Sequence, residues 1–256
     1  MEFDIRLVNV GKTFFTKSGA VDALGGVTFD VAPHEFVSVI GPSGCGKSTL
    51  LRIISGLIPP SEGEVFAHGK PVDGPNPDVG IVFQNPVLLP WRTVLRNIEL
   101  QVEVRHLPYT DYRERALDLL KMVGLEGFEE NYPNQLSGGM QQRVSICRAL
   151  IHDPPLLLMD EPFGALDALT REQMNLELQR VWLETQKTVL FITHSIPEAV
   201  FLSDRVIVSS PRPGKIKEVI SVSIPRPRTL QSMQMPEFFH ALDQTRKVME
   251  SFGYGG

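Results

Sequence analysis

The chain has little of several things. It carries two cysteines, Cys45 and Cys147, in 256 residues. That count leaves out a disulfide framework and is the pattern of a reducing, cytosolic compartment. No apolar run approaches the ~18–20 residues of a membrane span, so any membrane role borrows its spans from another subunit. The opening Met1-Glu2-Phe3-Asp4 is acidic and lacks a charged-then-apolar leader. Basic residues are in slight deficit, 25 against 30 acidic, for a net charge of −5. This argues against wrapping nucleic acid through bulk charge. There is no internal repeat and no low-complexity stretch. What remains, 42% hydrophobic and 21% charged, is ordinary globular composition, enough for one sizeable core or a large lobe with a smaller one.

What is present is organised around Gly41-Pro42-Ser43-Gly44-Cys45-Gly46-Lys47-Ser48-Thr49. The stretch fits G-x-x-x-x-G-K-[S/T], the phosphate-binding P-loop pattern. An apolar strand, residues 35–40, runs into it, and a helix beginning at Ser48 leaves it. Three glycines let backbone N–H groups turn inward around an anion. The helix N-terminus adds unpaired donors and the positive end of its dipole. Lys47 then holds the β- and γ-phosphates, and Ser48 offers its hydroxyl to Mg²⁺. Cys45, near Lys47 at this helix start, reads either as an activated thiol or as a small side chain pointing away from solvent. Cys147, in an apolar run, is expected to be buried and slow.

Residues 3–10 and 27–31, separated by Gly25-Gly26, read as strands of an antiparallel sheet. Further strands are expected at 64–69 and 79–84. Residues 112–123, 137–151 and 168–186 read as helices. Residues 156–159 and 189–193 are unbroken apolar runs, as strands buried on both faces are. A hairpin is expected around Pro211-Arg212-Pro213-Gly214, and one or two amphipathic helices after Thr229. The expected fold is α/β: a parallel-sheet P-loop core, an N-terminal antiparallel β piece and a helical sub-lobe at about residues 92–150. The predicted division is one domain over residues 1–228 and a short helical tail over 229–256.

Two further stretches carry chemistry. Leu156-Leu157-Leu158-Met159-Asp160-Glu161 is an apolar strand ending in two carboxylates, and ligands sit at strand ends in α/β sheets. Asp160 is placed to reach Mg²⁺ through water, and Glu161 to polarise the attacking water. Leu136-Ser137-Gly138-Gly139-Met140 sets a good N-cap before a glycine pair. A plain capped helix explains the serine but not the glycines, which cost about 1 kcal/mol each inside a helix.

These residues resemble an ATP-binding-cassette ATPase. The resemblance spans residues 14–194: the P-loop, Gln84 as Q-loop, 136–140 as signature, Asp160-Glu161 as Walker B, Ala165-Leu166-Asp167 as D-loop and His194 as switch histidine. Met140 stands where glutamine is usual, and Gly164 where serine is usual. The resemblance implies a head-to-tail dimer in which each ATP lies between one P-loop and the partner's Ser137, Gly138 and Gly139. It implies that Gln84 touches Mg²⁺, that His194 contacts the γ-phosphate, and that catalysis rests on Glu161, His194 and Lys47. Phe14 matches the aromatic that stacks on adenine. A core role for Phe14, or stacking by the adjacent Phe15, stays open. No Asn-Lys-x-Asp motif supports GTP.

The stretch Leu88-Leu89-Pro90-Trp91-Arg92-Thr93-Val94 with Asn97-Ile98 is similar to the nitrate, sulfonate and taurine importer branch. So are Ser210-Pro211-Arg212-Pro213-Gly214 and Pro225-Arg226-Pro227-Arg228. That resemblance implies two transmembrane permease subunits, pairing with itself or a second cassette, an extracytoplasmic solute-binding protein and a seat on the cytoplasmic face of the membrane. Trp91 is either an exposed anchor for the permease or part of the packing. A soluble repair or translation cassette is the rival. Lys47 and Ser137 are only about ninety residues apart, too close for the long coiled-coil insertion of repair cassettes. Translation cassettes usually pair two copies in one chain.

Overall fold

The computed structural model describes residues 3–17, 19–164 and 166–253. In chain order come strands β1 (Ile5–Thr16), β2 (Gly19–Val31) and β3 (Phe36–Ile40), helix α1 (Lys47–Ile54), and strands β4 (Glu62–Ala67), β5 (Lys70–Pro71) and β6 (Val79–Val82). Four helices follow: α2 (Val94–Ile98), α3 (Leu100–Val104), α4 (Tyr109–Met122) and α5 (Gly138–Leu150). Then come β7 (Leu156–Asp160), α6 (Ala168–Thr185), β8 (Thr188–Ile192), α7 (Ile196–Leu202), β9 (Arg205–Ser209), β10 (Ile216–Ser221) and α8 (Pro236–Glu250). The chain divides into two compact units, Met1–Pro77 with Gln186–Gly256, and Asp78–Thr185.

In the first unit, β1 pairs antiparallel with β2 on one side and with β4 on the other. The expected break at Gly25-Gly26 is instead a bulge inside one long hairpin. The two glycines fall between the pairs Val10↔Val27 and Lys12↔Leu24, where the register shifts. Gly26 takes φ +69°, and a methyl there would lie 2.9 Å from Asn9 Oδ1. A bulge turns the strand without ending its pairing, so periodicity alone reads it as two strands.

The same unit holds β9, β3 and β8 as parallel neighbours, with β10 antiparallel beside β9. Every residue of β3 and β8 is buried, which is why both read as continuous apolar runs. Helix α1 buries Leu50, Leu51, Ile53 and Ile54. At ~1.5–3 kcal/mol per buried side chain, that face anchors the helix whose start closes the glycine loop.

The second Pro-Arg stretch is a brace in this unit. Arg228 is buried, and its Nη1 donates to the carbonyls of Val200, Phe201 and Ser203 at 3.0, 2.8 and 2.9 Å. It thereby satisfies carbonyls at the C-terminal end of α7, where a cation also opposes the helix dipole. Burial pushes its guanidinium down to about 10. Arg226 donates to Asp204 Oδ1 through Nε and Nη2 at 3.1 and 2.9 Å. The tail forms a 3₁₀ turn (Leu230–Gln234) and the single helix α8, which buries Phe238, Ala241 and Thr245.

In the second unit, β6 and β7 are parallel neighbours, Val79↔Leu156 through Val82↔Met159. A methyl at Gly80 would lie 2.6 Å from the Ala149 carbonyl oxygen, so α5 packs directly on the backbone of β6. Helices α2 to α5 and the long α6 complete the unit.

Candidate functional site

The glycine loop occupies residues 41–46, between β3 and α1. Gly44 and Gly46 take φ +75° and +102°, a region L side chains rarely adopt. Gly46 is the N-cap of α1 with no side-chain cap, so the first donors of the helix have no capping side chain to meet them. Ser43, Gly44 and Ser48 are exposed, Thr49 is half-buried, and Gly41 and Pro42 are buried. Lys47 is only 7% exposed. Its ammonium curls back over the loop, donating to Gly41 O at 2.8 Å and Pro42 O at 3.2 Å. Of the two readings of Cys45, the structure favours the buried side chain. Its Sγ lies 4.0 Å from the Lys47 ammonium, but the residue is 1% exposed, so a reagent does not reach it in this conformation. Cys147 is fully buried as expected, and burial pushes its thiol up.

His194 follows β8. The register Val39↔Ile192, with Thr193 N donating to Val39 O at 3.3 Å, brings His194 out at the same C-terminal strand end as the glycine loop. His194 is exposed. Its backbone is fixed on both sides. Thr193 Oγ1 donates to the buried Glu198 carboxylate and accepts from Ser195 N at 3.0 Å. Ser195 caps α7 by accepting from Glu198 N at 3.4 Å. Phe14 is exposed on β1, so it is not a core residue. The Lys12 ammonium stands 5.4 Å from its ring centroid, a cation–π distance. Phe15 is 87% exposed.

The second unit carries the remaining predicted residues. Asp160 is the last residue of β7, half-buried, and Glu161 follows with φ +46°. A left-handed backbone at a glutamate is uncommon, and such strain clusters at functional positions. Gln84 does not end a strand as expected: β6 stops at Val82, and Gln84 is exposed in the bend beyond. Gln84 and Glu161 each follow by two residues the last β6–β7 pair, Val82↔Met159.

Ser137 caps α5, accepting from Met140 N at 3.3 Å. Gly138 is exposed and Gly139 buried, and a methyl at Gly139 would lie 3.1 Å from Thr170 Cγ2. Asp167 caps α6 through Thr170 N at 3.0 Å and Thr170 Oγ1 at 2.6 Å, which holds its carboxyl below the usual range. Ala165, the first residue of the predicted D-loop, lies outside the described residues.

Three residues whose structural role the sequence reading missed order the segment around and after Gln84. Gln142 Nε2 donates to Phe83 O at 3.2 Å. Arg148 donates to Pro86 O at 2.6 Å and Val87 O at 2.8 Å. Asn97 Nδ2 donates to the carbonyls of Leu89, Arg92 and Thr93 at 3.0–3.1 Å, and its Oδ1 accepts from Leu89 N at 2.7 Å. The segment they hold presents Trp91 at 71% exposure, so Trp91 is not packing. The available signal was polar Gln142, Ser145 and Arg148 recurring every three residues on a helix face that is otherwise apolar.

Comparison with known proteins bears on all of this. The ABC transporter family pattern matches residues 24–164. An uncharacterized ABC transporter ATP-binding protein of Methanocaldococcus jannaschii is 50% identical, covering 93% of this chain and 89% of that protein. An aliphatic sulfonates import ATP-binding protein of Bacillus cereus is 42% identical over 98% of this chain and 97% of its own length. Among solved structures, a dimeric bacterial ABC transporter cassette matches with TM-score 0.75 at 39% identity, over 85% of this chain and 98% of that one. A post-hydrolysis dimer of an ATP-binding cassette bound to ADP and Pi matches with TM-score 0.74 at 38% identity, with the same coverage.

Proposed function

This chain belongs to the ABC transporter family of ATP-binding, ATP-hydrolysing cassettes, and we propose that it is the energy-coupling ATPase of an importer for a small, sulfonate-like solute. The observation that carries the importer reading is the near full-length similarity to an aliphatic sulfonate import ATP-binding protein. The exposed Trp91, on a segment built by Asn97 and Arg148, is the anchor that such a reading needs. A large aromatic in an ordered exposed segment is the usual hot spot of an interface.

In this reading the loop of residues 41–49 holds the phosphates of ATP, and Phe14 offers a face to the adenine. Glu161 polarises the attacking water and His194 contacts the γ-phosphate. Ser137, Gly138 and Gly139 bind the ATP held by a second cassette, so the working unit is a dimer. Mg²⁺ takes oxygen donors and relies on substrate phosphates and water to complete its shell. The oxygens of Ser48, Gln84 and Asp160 match that preference. Among the described residues no group of three or more His, Cys, Asp or Glu is arranged to hold a metal alone, and a phosphate-borne Mg²⁺ requires none. Bound there, it neutralises phosphate charge. Among the described residues no helix is long and apolar enough to cross a membrane. In the importer reading, supported by the similarity to a sulfonate import ATP-binding protein, the partners are two permease subunits, with a solute-binding protein outside and this chain on the cytoplasmic face.

The test is co-expression with a candidate sulfonate-type permease. Wild type should co-purify with the permease, and its ATPase should rise on reconstitution with solute-loaded binding protein. Trp91→Ala should keep basal ATPase and lose most of the stimulation. A wild-type chain that stays free of the membrane fraction points to the soluble-cassette alternative. Unchanged stimulation in Trp91→Ala removes the anchor role.

A further inference from the structure

The turn at residues 210–215 was singled out by its Pro-Arg-Pro-Gly sequence, and the function above makes no use of it. In the structure it lies against the glycine loop. Gly214 leaves no space: a methyl there would lie 2.1 Å from the Cys45 carbonyl oxygen. Gly214 is also stitched to β2, its N donating to Ala23 O and its O accepting from Gly25 N, both at 3.0 Å. Arg212, an exposed residue, donates from Nε to the carbonyl of Gly44 at 3.1 Å. Gly44 is one of the two loop residues in the left-handed region.

The other walls of the loop are equally close. A methyl at Gly46 would lie 2.7 Å from Ala23 O, and one at Gly41 would lie 2.9 Å from Ser209 O. The loop is thus wedged between β2 at residues 23–25 and the β9–β10 turn. The turn itself is closed by Ser210 N donating to Lys215 O at 2.9 Å, and by Ser210 Oγ accepting from Lys215 N at 3.1 Å.

We propose that the 210–215 turn is a strut that holds the phosphate loop in its anion-ready conformation, with Arg212 and Gly214 as positioning residues for nucleotide binding. The physics is preorganisation. A cradle of backbone N–H groups binds an anion well only if its turns are set beforehand, because ordering them on binding subtracts from affinity. Arg212 fixes one left-handed residue by a charge-assisted hydrogen bond. Gly214 lets the turn approach the next carbonyl along the loop. The strut acts on the phosphate end shared by ATP and ADP, so it should govern affinity for both and leave the chemical step alone.

The proposal rests on residues 41–49 holding the nucleotide phosphates, and one titration separates the two claims. The full chain is titrated with trinitrophenyl-ATP and trinitrophenyl-ADP, with Mg²⁺, alongside Tm, KM and kcat. Arg212→Ala should raise both Kd values by about three- to tenfold. Its KM should rise in step, with kcat within about twofold and Tm unchanged. Arg212→Lys keeps a cationic donor and should recover part of the loss. Gly214→Ala should weaken binding more, and if it fails to fold the Arg212 pair decides alone. Unchanged Kd in Arg212→Ala overturns the strut. So does an equal loss in Lys215→Ala, which would mark the effect as bulk charge. Lys47→Ala is the separate arm: if it binds like wild type, the phosphate-loop assignment fails, whereas loss in Lys47→Ala with none in Arg212→Ala sinks the strut only.

Discussion

Glu161 sits with φ +46° one residue past the end of β7, a backbone state that costs a non-glycine residue about 1 kcal/mol or more. In the proposed function this carboxylate is the general base. Glu161→Gln keeps the shape and removes the basicity. Its ATPase should fall by roughly a hundredfold or more, with trinitrophenyl-ATP affinity retained. Turnover within several-fold of wild type would end the assignment. A second residue-scale effect lies away from that chemistry. Burial, with Arg105 3.2 Å from its Nε2, pushes His152 down to about 4 from an ordinary 6.5. The folded state therefore holds His152 neutral where the unfolded chain has begun to protonate it. Stability from this group is full above pH 6.5 and is lost as pH falls toward about 4. Tm measured from pH 7 to 4.5 should drop in wild type and drop less in His152→Gln. Equal slopes would show that other groups set the acid limb.

At the scale of elements, α5 is more than the carrier of Ser137. Its Gln142 and Arg148 bond the backbone on either side of Gln84, at Phe83 before it and at Pro86 and Val87 after it, while Ser137 starts the same helix. The signature end and the Trp91 segment are thus tied to one rigid rod. Burial lowers the Arg148 guanidinium, and its two carbonyl partners offset that desolvation. Arg148→Met should leave both carbonyls unsatisfied and destabilise the chain by about 2–4 kcal/mol, read as a lower urea midpoint. A midpoint within the error of wild type would mean that the segment is held by packing alone.

At the scale of the whole molecule, the proposed dimer, supported by the similarity to a dimeric cassette, makes the ATP site a shared object. Ser137, Gly138 and Gly139 then serve a nucleotide on the other chain. Ser137→Arg blocks its own signature and leaves its own phosphate loop intact. Mixed with Lys47→Ala, it should rebuild one of two composite sites and recover ATPase that neither variant shows alone. ATPase of the wild type should also rise more than linearly with chain concentration at high dilution, where the dimer dissociates. A specific activity independent of concentration, or no recovery in the mixture, would refute the shared site.

The phosphate loop, the carboxylate pair and the apolar runs of β3, β7 and β8 were legible in the sequence because each is local. Glycines that permit φ above zero, a lysine at fixed offset and strands buried on both faces leave their mark within a few consecutive residues. The bulge at Gly25-Gly26 was not legible, because a bulge is a property of pairing with β1 and not of β2 itself. Nor was the choice at Cys45: the loop chemistry left a reactive thiol and a buried side chain both open, and packing against Gly41 and Lys47 decided for burial. Arg212, Gln142, Arg148 and Arg228 each act on carbonyls between 25 and 168 residues away in sequence. A side chain's sequence neighbourhood cannot specify a hydrogen bond whose acceptor arrives from another element. The local chemistry was therefore written in the order of residues, and the supports that hold it still were decided only by tertiary contact.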